Sequence, residues 1–167
     1  QLRLCVYTDA SERHWSSIIT QVPVEDLASP HEAQRHEPLA FLSGTFANAQ
    51  LRWAISDKEG FPIIHTCDRL DYLLRCPEGF SLFTDHRNLI YIYDPRGRNP
   101  GLARLSEARL LRWALRLASY NYVIEFITGE DNVWADLLSR WAAPALHRVC
   151  RLLRAPVAVS SDFVWPA

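Results

Sequence analysis

Two short segments of this 167-residue chain are near copies of one another, Tyr7-Thr8-Asp9 and Phe83-Thr84-Asp85. Each closes an apolar, strand-forming run with a carboxylate at its carboxyl end. If the two runs are parallel neighbours, both Asp side chains emerge at one sheet edge, where open α/β sheets place their ligands. Carboxylates a few ångströms apart repel and raise a pKa unless a cation sits between them. Two further acids are oddly placed. Glu59 lies one turn before Ile63, on a stripe continued by Cys67, Leu70 and Leu74, so it faces the sheet from the start of a helix. Asp136 sits inside the apolar helical run VWADLLSRW, flanked by residues that must face a core. Hard oxygen ligands from several elements suit Mg²⁺ or Mn²⁺, and a pair of such ions about 3.5 to 4 Å apart suits in-line phosphodiester displacement.

Taken singly, each acid has a plainer reading. An Asp after a strand is commonly a turn or cap residue, and Glu59 can be the reciprocal partner of Ser56 in a capping box. Asp136 can be a first-turn acid favoured by the helix dipole. The duplicated strand-Thr-Asp unit, followed in chain order by two inward acids, favours the joint reading: metal-dependent phosphoryl chemistry.

The elements that must carry these residues follow from periodicity. Residues 2–8 are almost continuously apolar, as in a central strand covered on both faces. Residues 14–22 and 39–42 read as further strands, separated by a polar, Pro-containing loop over 23–38. A helix is expected over about 57–75, with Pro62 kinking it. Residues 80–84 form a strand, 105–119 a helix, 122–127 a strand, Gly129 a turn and 132–141 a short helix bounded by Pro144. The order predicts an α/β fold with a mixed sheet. A domain over 1–141 and a linker or tail over 142–167, marked by Arg148, Arg151 and Arg154, complete the expected organisation.

Composition narrows the function. The chain is 49% hydrophobic and 22% charged, as expected for one globular domain. Its net charge of −1 excludes a polybasic surface, so a nucleic-acid partner must be held locally. No run approaches the ~18 to 20 apolar residues of a membrane span, and the amino terminus shows no signal segment. Cys5, Cys67, Cys76 and Cys150 have no CxxC spacing and read as reduced thiols in a reducing compartment. The absence of Met, with Gln1 leading straight into a strand, suggests a piece of a longer polypeptide. Of 18 basic residues 17 are Arg, and Lys58 is the one Lys. Residues 1–95 carry 13 acids and 8 bases, net −5, whereas 96–167 carry 6 and 10, net +4.

The motifs YTDAS at 7–11, PLAFLSGTF at 38–46, DKEG at 57–60, FTDHRNL at 83–89 and NVWADLLSRW at 132–141 resemble the ribonuclease H domain of gypsy-type long-terminal-repeat retrotransposon polyproteins. The resemblance covers residues 2–141. It implies a ribonuclease H-like fold with a central five-stranded mixed sheet flanked by helices. It implies Asp9, Glu59, Asp85 and Asp136 as ligands of two Mg²⁺ ions, with Mn²⁺ a substitute, and hydrolysis of the RNA strand of an RNA:DNA hybrid to 5′-phosphate and 3′-hydroxyl ends. Reverse transcriptase and integrase domains would be the polyprotein neighbours, in an intracellular setting that is cytoplasmic, within a virus-like particle, or nuclear. One departure stands out. Cellular relatives carry a mobile His between the last strand and last helix, where this chain has Thr-Gly-Glu-Asp-Asn at 128–132. Glu130 or Asp131 could replace it as a mobile acid, or serve as plain loop or cap residues. His86 could orient a substrate phosphate or cap a helix.

Backbone and 2′-hydroxyl contacts dominate hybrid recognition, so short polar side chains join the candidates with Arg. Ser11, Gln34, His86 and Asn88 are expected nucleic-acid contacts, together with Arg96, Arg98 and Arg109 from the basic segment. Arg104 and Arg112, beside Trp113, are better suited to covering apolar surface, and the Trp residues to packing. Two competing functions share the fold: a degenerate nucleic-acid-binding connection domain, and a transposase-like DNA nuclease. Retention of all four acids opposes the first, and a requirement for 2′-hydroxyls would separate the second. Polymerase activity is not expected without a Tyr-x-Asp-Asp motif, nor an integrase-type zinc site around His147 and Cys150.

Overall fold

The computed structural model describes residues 1–95 and 108–132. Strand β1 (Leu2–Ala10) and β2 (His14–Pro23) form an antiparallel hairpin, and β3 (Glu37–Thr45) pairs antiparallel with β2. Helix α1 (Ile55–Arg69) and the short α2 (Asp71–Leu74) lead to β4 (Phe80–Thr84), which lies parallel to β1. Helices α3 (Arg87–Tyr93) and α4 (Ala108–Leu117) precede β5 (Tyr122–Phe126), parallel to β4. The sheet order is β3-β2-β1-β4-β5, a five-stranded mixed sheet with the apolar β1 at its centre. Such a strand needs cover on both faces, and alternation supplies the residues. Val6 and Leu82 join the large core with Ile63, Cys67 and Leu74 from the helices. Cys5, Tyr7 and Phe83 face the other way, with Val22 and Ile127.

Several expectations need correction. Helix α1 begins at Ile55 with Ala54 as N-cap and no side-chain cap, so Ser56 lies inside the helix and the capping box does not form. Pro62 is nonetheless accommodated within it, and its carbonyl accepts the Ser17 hydroxyl at 3.4 Å. The helix expected to run to 75 breaks at Leu70. There the Tyr120 hydroxyl donates both to the Cys67 carbonyl and to the Asp71 carboxylate, capping the end of α1 from outside. Strand β3 is longer than 39–42 and includes Pro38, tolerated because β3 is a sheet edge. The connection over 23–38 contains two 3₁₀ turns, Val24–Ala28 and His31–Ala33, and is clasped by Arg35 on Glu25 and Asp26. Helix α3 has no counterpart in the sequence reading, because RNLIYIY is rich in strand formers; packing of Leu89 and Tyr93, four residues apart, makes it helical. The expected helix over 132–141, the tail over 142–167, Cys150 and the amino-terminal part of the 105–119 helix lie outside the described residues. Cys5, Cys67 and Cys76 are free thiols, and no described helix is long and apolar enough to cross a membrane.

Candidate metal centre

The parallel register pairs Tyr7 with Phe83, so the duplicated units end side by side and Asp9 and Asp85 follow at the same sheet edge. Glu59 arrives from the second turn of α1. One carboxylate oxygen from each of Asp9, Glu59 and Asp85 lies within 4.8 Å of the others. Asp9 and Glu59 are buried and Asp85 is half-buried. The Glu59 carboxyl is pushed up to about 9, first by burial, then by the charges of Asp9 and Asp85; a bond from the Ala10 backbone N–H opposes the rise. A cation bound among these oxygens would relieve both effects, and an all-carboxylate donor set is the one that hard divalent ions prefer. The residues therefore fit a Mg²⁺ or Mn²⁺ centre.

The surroundings are open on one side and anchored on the other. A pocket of about 340 Å³ is lined by Glu59, Asp85, His86, Arg87 and Asn88. On the anchored side, a Cβ added to Gly129 would stand 3.6 Å from an Asp85 oxygen, so the 128–132 turn borders the acids. Buried Asn132 donates its side-chain amide to the Thr8 carbonyl at 3.0 Å, which fixes the end of that turn beside Asp9. The chain leaves toward Asp136 from this point, but Asp136 itself lies outside the described residues.

A family model described as the RNase H-like domain found in reverse transcriptase matches residues 1–120. The chain belongs to this family. Similar relatives are the transposon Tf2-3 and Tf2-4 polyproteins of Schizosaccharomyces pombe, 32% identical over 139 residues, 83% of this chain. The chain spans only 9% of the length of those polyproteins. Among solved structures, the N-terminal RNase H domain of a Mycobacterium tuberculosis protein, fused to maltose-binding protein, superposes with a TM-score of 0.53 at 15% identity, over 85% of this chain and 94% of that one. The foamy viral protease-reverse transcriptase in complex with RNA/DNA hybrid gives 0.52 at 15% identity, over 77% and 16%. These likenesses show the ribonuclease H-like fold.

Within this RNase H-like domain the remaining candidates part company. His86 and Asn88 line the same pocket as Glu59 and Asp85. His86 occupies the N-cap position of α3, yet its side chain makes no cap bond; its backbone N–H donates to the Thr84 hydroxyl at 3.2 Å. Ser11 holds the β1–β2 turn, its hydroxyl bonding both the carbonyl and the N–H of His14 at 3.1 Å. Gln34 is engaged inside the β2–β3 connection, donating to the Ser29 carbonyl and facing the His36 ring. The Arg109 guanidinium pairs with the buried carboxylate of Asp57 and lies over the Trp53 ring, 4.2 Å from its centroid. Asp131 accepts the Thr128 hydroxyl within its own turn. Arg96 and Arg98 lie outside the described residues. Arg87 in the pocket wall and Asn132 at the turn were missed by sequence reasoning; the only signal for Arg87 was its place inside FTDHRNL, two residues after Asp85.

Proposed function

We propose that this domain is a metal-dependent endoribonuclease that hydrolyses the RNA strand of RNA:DNA hybrids during retrotransposon reverse transcription. The observation that carries the reading is the convergence of Asp9, Glu59 and Asp85, from three separate elements, beside an open polar pocket that Glu59 and Asp85 line. Asp136 completes the set, and the four acids hold two Mg²⁺ ions, replaceable by Mn²⁺. Bound there, the ions supply a nucleophilic water near neutral pH and charge stabilisation at the leaving 3′-oxygen. The rest falls to the chain. Asp9 and Asp85 hold their carboxylates at a fixed separation through the β1–β4 register, and Glu59 closes the third side. Arg87, His86 and Asn88 contact the substrate backbone across the pocket. Asn132 fixes the turn that leads to the fourth acid. Ser11, Gln34, Arg96 and Arg98 contribute to nucleic-acid binding beyond the pocket, whereas the Arg109 guanidinium is committed to Asp57.

The setting that goes with this reading is a transposon polyprotein in which reverse transcriptase and integrase domains adjoin residues 1–141, with 142–167 as the connection, inside the cell or its virus-like particle; the likeness to transposon polyproteins supports it. Incubating the purified chain with labelled RNA:DNA hybrid, double-stranded RNA and double-stranded DNA, with Mg²⁺, Mn²⁺ or chelator, tests the reading. Cleavage confined to the RNA of the hybrid and lost in chelator is expected. Equal rates on hybrid and all-DNA duplex would identify a DNA nuclease instead, and binding without cleavage a degenerate connection domain.

A further inference from the structure

Lys58 immediately precedes Glu59, and it is the only lysine among 18 basic residues. It is also buried, at 6% exposure, which is costly for an ammonium unless it is paired. Its Nζ donates to the Glu12 backbone carbonyl at 2.7 Å and stands 5.7 Å from the centroid of the Phe46 ring. Glu12 sits in the turn joining β1 to β2, three residues after Asp9. The next residue of α1 holds the other end of the same corner, since Glu59 accepts the backbone N–H of Ala10. Two consecutive helical residues thus grip a short stretch of chain from both sides, one by a carbonyl and one by an amide. Phe46 ties in the third strand, its N–H donating to the Arg13 carbonyl at 2.7 Å.

We propose that Lys58 is a positioning residue for the metal centre: by bonding the Glu12 carbonyl it fixes the start of α1 against the β1–β2 corner and so sets the separation of the Glu59 and Asp9 carboxylates. The inference rests on the metal-centre reading above. It also makes a prediction of unusual sign. Lys58 carries a positive charge near a cation site, so by Coulomb's law alone its removal strengthens cation binding. Loss of position weakens it, as substitutions in the shell around metal ligands do by about 10- to 100-fold. The two roles are therefore separated by the direction of the change.

The test uses the full chain with Mn²⁺ alone as the probe, by calorimetric titration, and thermal unfolding in chelator alongside. Lys58→Met keeps the stem and its packing but removes charge and donor. It should weaken Mn²⁺ binding by about tenfold, with a metal-free unfolding midpoint within a few degrees of the unaltered protein. Lys58→Arg restores a charged donor and should recover most of the loss. Unchanged or tighter Mn²⁺ binding by Lys58→Met overturns the proposal, as does a Lys58→Arg variant no tighter than Lys58→Met. Asp85→Asn separates this from the reading beneath it: if that variant binds Mn²⁺ like the unaltered protein, the metal centre itself is wrong.

Discussion

Helix α1 carries two buried acids two residues apart, and they meet opposite fates. Asp57 turns toward α4, where the Arg109 guanidinium neutralises it under the Trp53 ring. Glu59 turns toward the sheet edge, where it meets two more carboxylates. A buried acid with an internal cation has its charge neutralised as folded, and the pair holds α1 on α4. A buried acid facing like charges is incomplete, and its environment favours either a proton or an external cation. Which of two nearby acids is neutralised within the fold and which is left crowded by like charges is thus decided by the company each keeps.

The sharpest break in this comparison is Asp85→Asn, which keeps the shape and removes one ligand charge. Hybrid cleavage should fall by well over ~100-fold, beyond the range of outer-shell substitutions, with the fold retained by circular dichroism; Asp9→Asn should match it. Cleavage at the unaltered rate would remove Asp85 from the centre.

Next in size is the neutralised acid. Arg109→Met strands the Asp57 charge, whose side chain is only 7% exposed and whose Oδ1 already has no hydrogen-bond partner among the described residues. Breaking a buried pair costs about 3 to 5 kcal/mol, discounted here to about 2 because the Arg109 side chain is 34% exposed. Urea denaturation measures it. Adding Asp57→Asn to Arg109→Met should recover part of the loss, while metal affinity stays unchanged in both.

The unneutralised acid should show itself in the pH dependence of the metal-free protein. The folded-state pKa of Glu59, about 9, lies above its ordinary 4.5, so between these values the folded chain binds the extra proton. The stability this contributes is present below about 4.5 and is lost as pH rises toward 9. In chelator, stability should fall with pH over that window by up to about 1 kcal/mol per unit. Glu59→Gln should flatten the slope, and a flat profile in the unaltered protein would contradict the crowded centre.

The smallest effect concerns binding. Each phosphate contact contributes about 0.7 to 0.9 to the slope of log affinity against log salt. Arg87→Ala, from the pocket wall, should lower the slope by that amount, whereas Arg109→Met should leave it nearly unchanged because Asp57 already holds that charge. A slope that responds to Arg109 and not to Arg87 would shift the interface to the basic segment around Arg96 and Arg98.

Local pattern was enough to find three acids of the centre. A strand alternates with period two and a helix presents every third or fourth residue, so Asp9, Asp85 and Glu59 could be placed facing one edge from residue types alone. The parallel neighbours that this required are what β1 and β4 became. What only tertiary structure decided were the partners. Arg109 reaches Asp57 across 52 positions, Lys58 reaches the Glu12 carbonyl across 46, and Asn132 reaches Thr8 across 124. No local pattern encodes such pairs. The same limit explains Ser56, a sound capping-box residue left inside a helix that starts one residue earlier, and RNLIYIY, a strand-like string turned helical by what Leu89 and Tyr93 pack against. Element type and facing are short-range properties, set by sterics and periodicity over a few residues. Partner choice depends on where whole elements dock, and that is set by packing of the core.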